Sequence, residues 1–160
     1  MSTKSINFVI ATLWSICFIQ FVAAIPQWHQ ARDGRSYLIE AEKKFDFSTA
    51  TNECYRRGLQ LAEIKNADKN AAMDILLRSL FAKTPDLWIG ARDDGSSRKD
   101  RPFYWQKSKQ RMVFGNWASG QPDNSQGVEH CVHYYSATNF KWNDIKCDSK
   151  LGFICEGRFP

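Results

Sequence analysis

Apolar residues change their spacing along this chain, and each change marks a different kind of segment. A lone Lys4 precedes an apolar run from Ile6 to Val22, which closes on the small residues Ala23 and Ala24. One positive residue, an apolar stretch and a small-residue end are the marks of a cleavable secretory leader, so residues 1–24 read as a signal peptide. Ser15 and Gln20 interrupt the run and few basic residues precede it, which argues against a retained membrane anchor. Residues 25–35 read as a short polar lead-in.

From there the spacing becomes regular. Tyr37, Leu38 and Ile39 predict a first strand. A helix is expected to open near Ser48, whose hydroxyl can cap free amides, and to end at Gly58 with Arg56 and Arg57 in its last turn. A second helix is expected from Asn66, with Asp68 in its first turn. It carries Ala72, Ile75, Leu76 and Leu80 at helical spacing and stops before Thr84 and Pro85.

Beyond Pro85, short apolar runs (Leu87 to Ile89, Phe103 to Trp105, Cys131 to Tyr135, Gly152 to Cys155) alternate with stretches rich in Gly, Pro, Asn, Asp and Ser. Two helices followed by short strands imply an α+β domain. The segment from Ala118 to Val128 is too rich in turn formers to be helix or strand, and long irregular loops in compact domains are usually functional. Trp88, Trp105, Trp117 and Trp142 read as core or interface rings.

Composition narrows the class. The chain has 160 residues, 43% of them hydrophobic, which suits one packed domain; no repeat or low-complexity segment points to a second. With Cys17 in the leader, Cys54, Cys131, Cys147 and Cys155 remain as an even set for an oxidising compartment, with three possible pairings. No C-x-x-C pair supports zinc. The net charge of +5 is modest and its signs are interleaved. Nucleic acid is therefore not an expected partner. The basic stretch from Ser96 to Arg101 reads as a solvated loop.

The candidate chemistry lies in Gln121, Pro122 and Asp123, then Glu129 near Cys131, then Asn143 and Asp144 near Cys147. Together they offer two amides and three carboxylates, the oxygen ligands that a hard cation such as calcium prefers. An X-Pro bond at Pro122 can be cis at modest cost, turning the side chains of Gln121 and Asp123 toward one ion. No nucleophile elbow, zinc helix or phosphate loop is present, and a bound cation would deny these carboxylates the raised pKa of a general acid. An enzyme is not expected.

The order Cys54, Trp88-Ile89-Gly90, Gln121-Pro122-Asp123, Glu129-x-Cys131, Trp142-Asn143-Asp144-x-x-Cys147 and Gly152-Phe153-Ile154-Cys155-Glu156 resembles the C-type lectin carbohydrate-recognition domain. The likeness runs from about Tyr37 to Arg158 and places the domain at residues 36–158. It is most similar to the short-form, single-domain secreted lectins of invertebrates, because no further cysteine pair precedes Cys54.

The resemblance implies a double-loop fold with two helices, two small antiparallel sheets and the disulfides Cys54–Cys155 and Cys131–Cys147. It implies one calcium ion (Ca2+) held by Gln121, Asp123, Glu129, Asn143 and Asp144, with adjacent sugar hydroxyls completing its shell. The Gln-Pro-Asp order resembles the galactose type, so galactose or N-acetylgalactosamine glycans are the expected partners. Recognition of microbial surfaces in innate immunity is implied in the same way.

Two departures from the family pattern matter. No Trp follows Gln-Pro-Asp to stack on the sugar, so affinity should be weak; His133, read as solvent-facing, and Phe140 are the candidate substitutes. An auxiliary calcium site would fall on Asp93, Ser97, Asn124 and His130, where Ser97 and His130 replace expected acids, so it should be empty or weak. The alternative function is a related module that binds protein with little sugar affinity. No heptad segment or odd cysteine in the mature chain specifies an oligomer, although linked weak sites gain avidity.

Overall fold

The computed structural model describes residues 26–83, 85–96, 98 and 100–157; the signal peptide, Ser97 and Arg158 lie outside them. In chain order the elements are β1 (Gln27–Gln30), β2 (Ser36–Phe45), α1 (Phe47–Arg56), β3 (Leu59–Leu61) and α2 (Ala67–Leu80). They are followed by β4 (Leu87–Asp93), β5 (Phe103–Trp105), β6 (Cys131–Tyr135), β7 (Lys141–Ile145) and β8 (Leu151–Gly157).

Local chemistry sets the helix ends. Helix α1 starts earlier than Ser48 predicts, because the Asp46 carboxylate is the cap and accepts from Thr49 N–H at 2.7 Å. Phe47, the first helical residue, is already buried. The helix closes where Gly58 takes a φ of +74°, a left-handed conformation that glycine adopts without a Cβ penalty. In α2, Asn66 is the cap, its side chain accepting from Lys69 N–H at 2.9 Å. Ala72, Met73, Leu76 and Leu77 face inward, whereas Ile75, expected in the same stripe, is 40% exposed.

The expected pair of antiparallel sheets is joined into one mixed sheet ordered β1-β2-β8-β4-β6-β7, with β3 on β8 and β5 on β4. The join is a short parallel pairing, Leu87 with Gly152 and Trp88 with Phe153. Gly152 is required there, since a Cβ would lie 2.2 Å from the Glu40 carbonyl oxygen. The polar lead-in is not irregular: β1 pairs with β2 from Gln27↔Ile39 to Gln30↔Ser36. It is an edge strand with little buried side-chain surface, so its residues carry no apolar alternation.

Helix α2 packs its Met73 and Leu77 into a core with Ile64, Ile89, Trp105, Tyr134 and Trp142. A second cluster joins α1 to the sheet through Phe47, Ala50, Trp88 and Phe153. Trp88, Trp105 and Trp142 are core rings as expected, and Trp117 packs partly buried against them. The two disulfides are Cys54–Cys155, which ties α1 to β8, and Cys131–Cys147, which ties β6 to the segment after β7.

Candidate functional site

The segment between β5 and β6 has no regular structure except the 3-10 turn Ser125–Gly127, and polar contacts hold it. Ala118 N–H donates to Trp142 C=O at 2.8 Å, anchoring the segment to β7. The Gln121–Pro122 bond is cis, and Asn124 and Gln126 take positive φ. Beyond that corner the chain wraps around the Asp144 carboxylate. Oδ1 accepts from Asp123 N–H at 3.1 Å and Oδ2 from Asn124 N–H at 2.9 Å. Ser125 N–H donates to Asp123 Oδ1 and Glu129 Oε2, each at 3.1 Å, while Asn124 Oδ1 accepts from Glu129 N–H at 3.0 Å.

This wrapping brings three of the sequence-predicted residues together. Asp123, Glu129 and Asp144 each present a carboxylate oxygen, all within 4.8 Å of one another. Asp123 is exposed, Glu129 half-buried and Asp144 buried, so the cluster opens outward on one side. Burial, then the charges of Asp144 and Asp123, holds the Glu129 carboxyl above its ordinary pKa, against the lowering effect of Ser125 N–H. Crowded carboxylates of this kind favour a cation at their open side.

The two amides behave differently. Gln121 Oε1 accepts from Asp123 N–H at 3.0 Å, so its carbonyl serves the turn itself. Asn143 lies beside Asp144 on β7, opposite His133 of β6. Its Oδ1 is buried and has no hydrogen-bond partner. Its Nδ2 lies 3.4 Å from His133 Nε2; an amide nitrogen only donates, so the ring nitrogen accepts. Burial lowers the His133 pKa to about 4, keeping the ring neutral for that role.

His133 therefore corrects its sequence reading as a solvent-facing residue: it is 1% exposed, wedged between Trp88 and Tyr135. Strand β6 is covered on both faces, so alternation gave no warning of it. Phe140 is also buried, beneath the Arg78 guanidinium, and offers no stacking face. In the loop after Gln-Pro-Asp, Val128 is the one apolar side chain, 41% exposed.

The basic stretch requires a second correction. Arg101, read as part of a solvated loop, has a side chain with no exposure, between Asp93 and Asp144. Its Nε donates to Asp93 Oδ2, and its Nη2 to Asp144 Oδ2 at 2.6 Å and to Glu129 C=O. No local signal marked it. Its partners stand 8, 28 and 43 positions away, and burial of a charge is decided by such distant partners.

Helices and a mixed sheet stapled by two disulfides, with a long polar loop closed over an acid cluster, define a double-loop domain of the lectin type. The chain belongs to the C-type lectin domain family, whose lectin C-type domain matches residues 43–157. That is a family of lectins, not of enzymes. Lectin subunit alpha of Sarcophaga peregrina is 43% identical over 137 residues, covering 84% of this chain and 48% of that protein. The chain thus spans about half the length of that relative. Salivary C-type lectin 2 of Aedes albopictus is 36% identical over 114 residues, 67% of this chain and 74% of its own. Among solved structures, the mouse scavenger receptor C-type lectin carbohydrate-recognition domain superposes with a TM-score of 0.66 at 27% identity, covering 84% of this chain and 96% of its own.

Proposed function

We propose that this domain binds carbohydrate through one calcium ion held by Gln121, Asp123, Glu129, Asn143 and Asp144, favouring terminal galactose or N-acetylgalactosamine. The observation that carries the reading is the cluster of Asp123, Glu129 and Asp144, whose carboxylate oxygens lie within 4.8 Å of one another; Asn143, next to Asp144 in β7, has a carbonyl oxygen without a partner. Calcium takes several oxygen ligands and neutralises their charge, which suits three carboxylates and an orphaned amide oxygen. His133 accepts one of the two Asn143 amide protons, which orients the side chain and leaves its oxygen for the ion and its second N–H for a sugar hydroxyl.

A calcium ion held by these residues would supply Lewis-acid coordination to adjacent sugar hydroxyls. The side-chain amides would donate hydrogen bonds to those hydroxyls, and the carboxylates would accept hydrogen bonds from them. The alternation of Gln121 with Asp123 and of Glu129 with Asn143 meets that demand. The galactose preference rests on the Gln-Pro-Asp order. With Val128 as the loop's one apolar side chain, the sugar's apolar face gains little, and binding to a monosaccharide is weak. Weak single sites make multivalent glycan surfaces, microbial ones included, the natural targets.

The domain is secreted, in this reading, after loss of residues 1–24. Two disulfides suit an oxidising compartment, and no helix among the described residues is long and apolar enough to cross a membrane.

Chromatography of the full chain on immobilised galactose and mannose, with and without a calcium chelator, tests the reading. Retention on galactose in calcium and release by chelator are expected. Indifference to chelator would remove the calcium mechanism, and preference for mannose would remove the argument from residue order. Capture by a deglycosylated protein without capture by any sugar would favour the protein-binding alternative.

A further inference from the structure

The sequence positions matched to an auxiliary calcium site do not fit a second metal ion in this chain. Asp93 and Asn124 are present, but the space between Asp93 and Asp144 holds the guanidinium of Arg101. Asp93 is otherwise engaged: Oδ1 accepts from Gly95 N–H at 2.7 Å, and Oδ2 lies 3.0 Å from His130 Nδ1. The Asn124 carbonyl is turned to Glu129 N–H. A calcium ion there would have to displace a buried, fully charged side chain from two carboxylates.

We propose that Arg101 is an internal cation that replaces a second metal ion, holding the long loop in its binding shape before calcium arrives. The guanidinium reaches the end of β4 through Asp93, the end of the long loop just before β6 through Glu129 C=O, and β7 through Asp144. It also lies 5.0 Å from the Phe103 ring centroid on β5, which flanks its apolar side. A planar fork with five donors can satisfy several acceptors at fixed angles, and it keeps its charge at every physiological pH.

Asp144 is the shared element. Its inner side binds Arg101, and both of its oxygens receive the amides of Asp123 and Asn124, which shape the corner after the cis bond. Arg101 thereby positions a proposed calcium ligand without touching the ion or the sugar. Loop order becomes independent of calcium, and the ion is left only the task of binding sugar. The inference deepens the calcium reading above, but its first readout does not depend on it.

Hydrogen exchange of residues 118–130 in the full chain, in chelator, is that readout, with Arg101→Met and Arg101→Lys as variants. The wild-type loop is expected to be protected in chelator, Arg101→Met to exchange about tenfold faster or more there, and Arg101→Lys to fall between. Calcium stoichiometry by titration calorimetry is the second readout. One ion is expected for wild type, and a second, weaker one for Arg101→Met, with loop protection restored as it binds.

Equal protection of wild type and Arg101→Met in chelator would overturn the proposal, as would two ions bound to wild type. Should Arg101→Met fail to fold, Arg101→Lys decides: a loop as protected as wild type overturns the proposal, and partial protection supports it. A wild type that binds no calcium while showing the Arg101-dependent protection removes the calcium reading and leaves this one standing. One ion bound with no dependence on Arg101 does the reverse.

Discussion

The two ends of this domain are built from different forces. Around α1 and α2, the chain is held by burial: Phe47, Ile64, Met73, Leu77, Trp88 and Phe153 are buried in apolar clusters. Around the far half of the long loop, charge and hydrogen bonds take over, and Asp93, Arg101, Asn124 and Asp144 are buried there. The apolar end needs no ion. The polar end carries more carboxylate than Arg101 alone can balance, which is the physical reason it is the end that can bind something.

Substitutions in the two ends should separate stability from binding. Leu77→Ala, at a site with no exposure, should cost about 3 kcal/mol by removing buried methyl groups and leaving a cavity. Denaturant unfolding should show that loss with chelator present. Glycan retention of the folded fraction should be unchanged.

Asp74→Asn should act in the opposite direction. Burial, only partly offset by Arg78 and Lys141, raises the Asp74 pKa to about 6. The folded state therefore binds a proton between about pH 4 and 6 that the unfolded chain does not, so this group's contribution to stability falls as pH rises through that window. Above it, the charged carboxylate is a cost that a neutral amide avoids. After discounting for solvent screening, the variant should be more stable at pH 7 by about 1 kcal/mol, a gain that vanishes near pH 4. Thermal melts at the two pH values check it.

Asp123→Asn should change stability least, by less than about 0.5 kcal/mol, because the side chain is exposed and its main contact is to Ser125 N–H. Galactose retention should nevertheless be lost. A variant that unfolds, or that still binds, would break the division between the two ends.

The same division explains what could be read from the chain. Helix α2 was legible because Asn66, Asp68 and the apolar spacing from Ala72 to Leu80 are local signals. The acid cluster was legible as a family likeness, since Asp123, Glu129 and Asp144 meet only through the fold. Strand β1 was not legible, because an exposed edge strand needs only backbone pairing. Arg101 and His133 were misread for one reason: a polar residue reads as solvated until the distant groups that accept it are known.

The parallel pairing of β4 with β8 has a mechanical meaning. A load applied between the long loop and β8 would cross β7, β6 and β4, the order in which the sheet connects them. The short register Leu87↔Gly152 and Trp88↔Phe153 pairs those last two strands, braced by Gly90 N–H on Ala62 C=O and Ala62 N–H on Ile154 C=O. Trp88 and Phe153 also lie in the buried α1 cluster beside Cys54–Cys155, so parting β4 from β8 would open the apolar end as well, and the seam is as strong as the core that covers it.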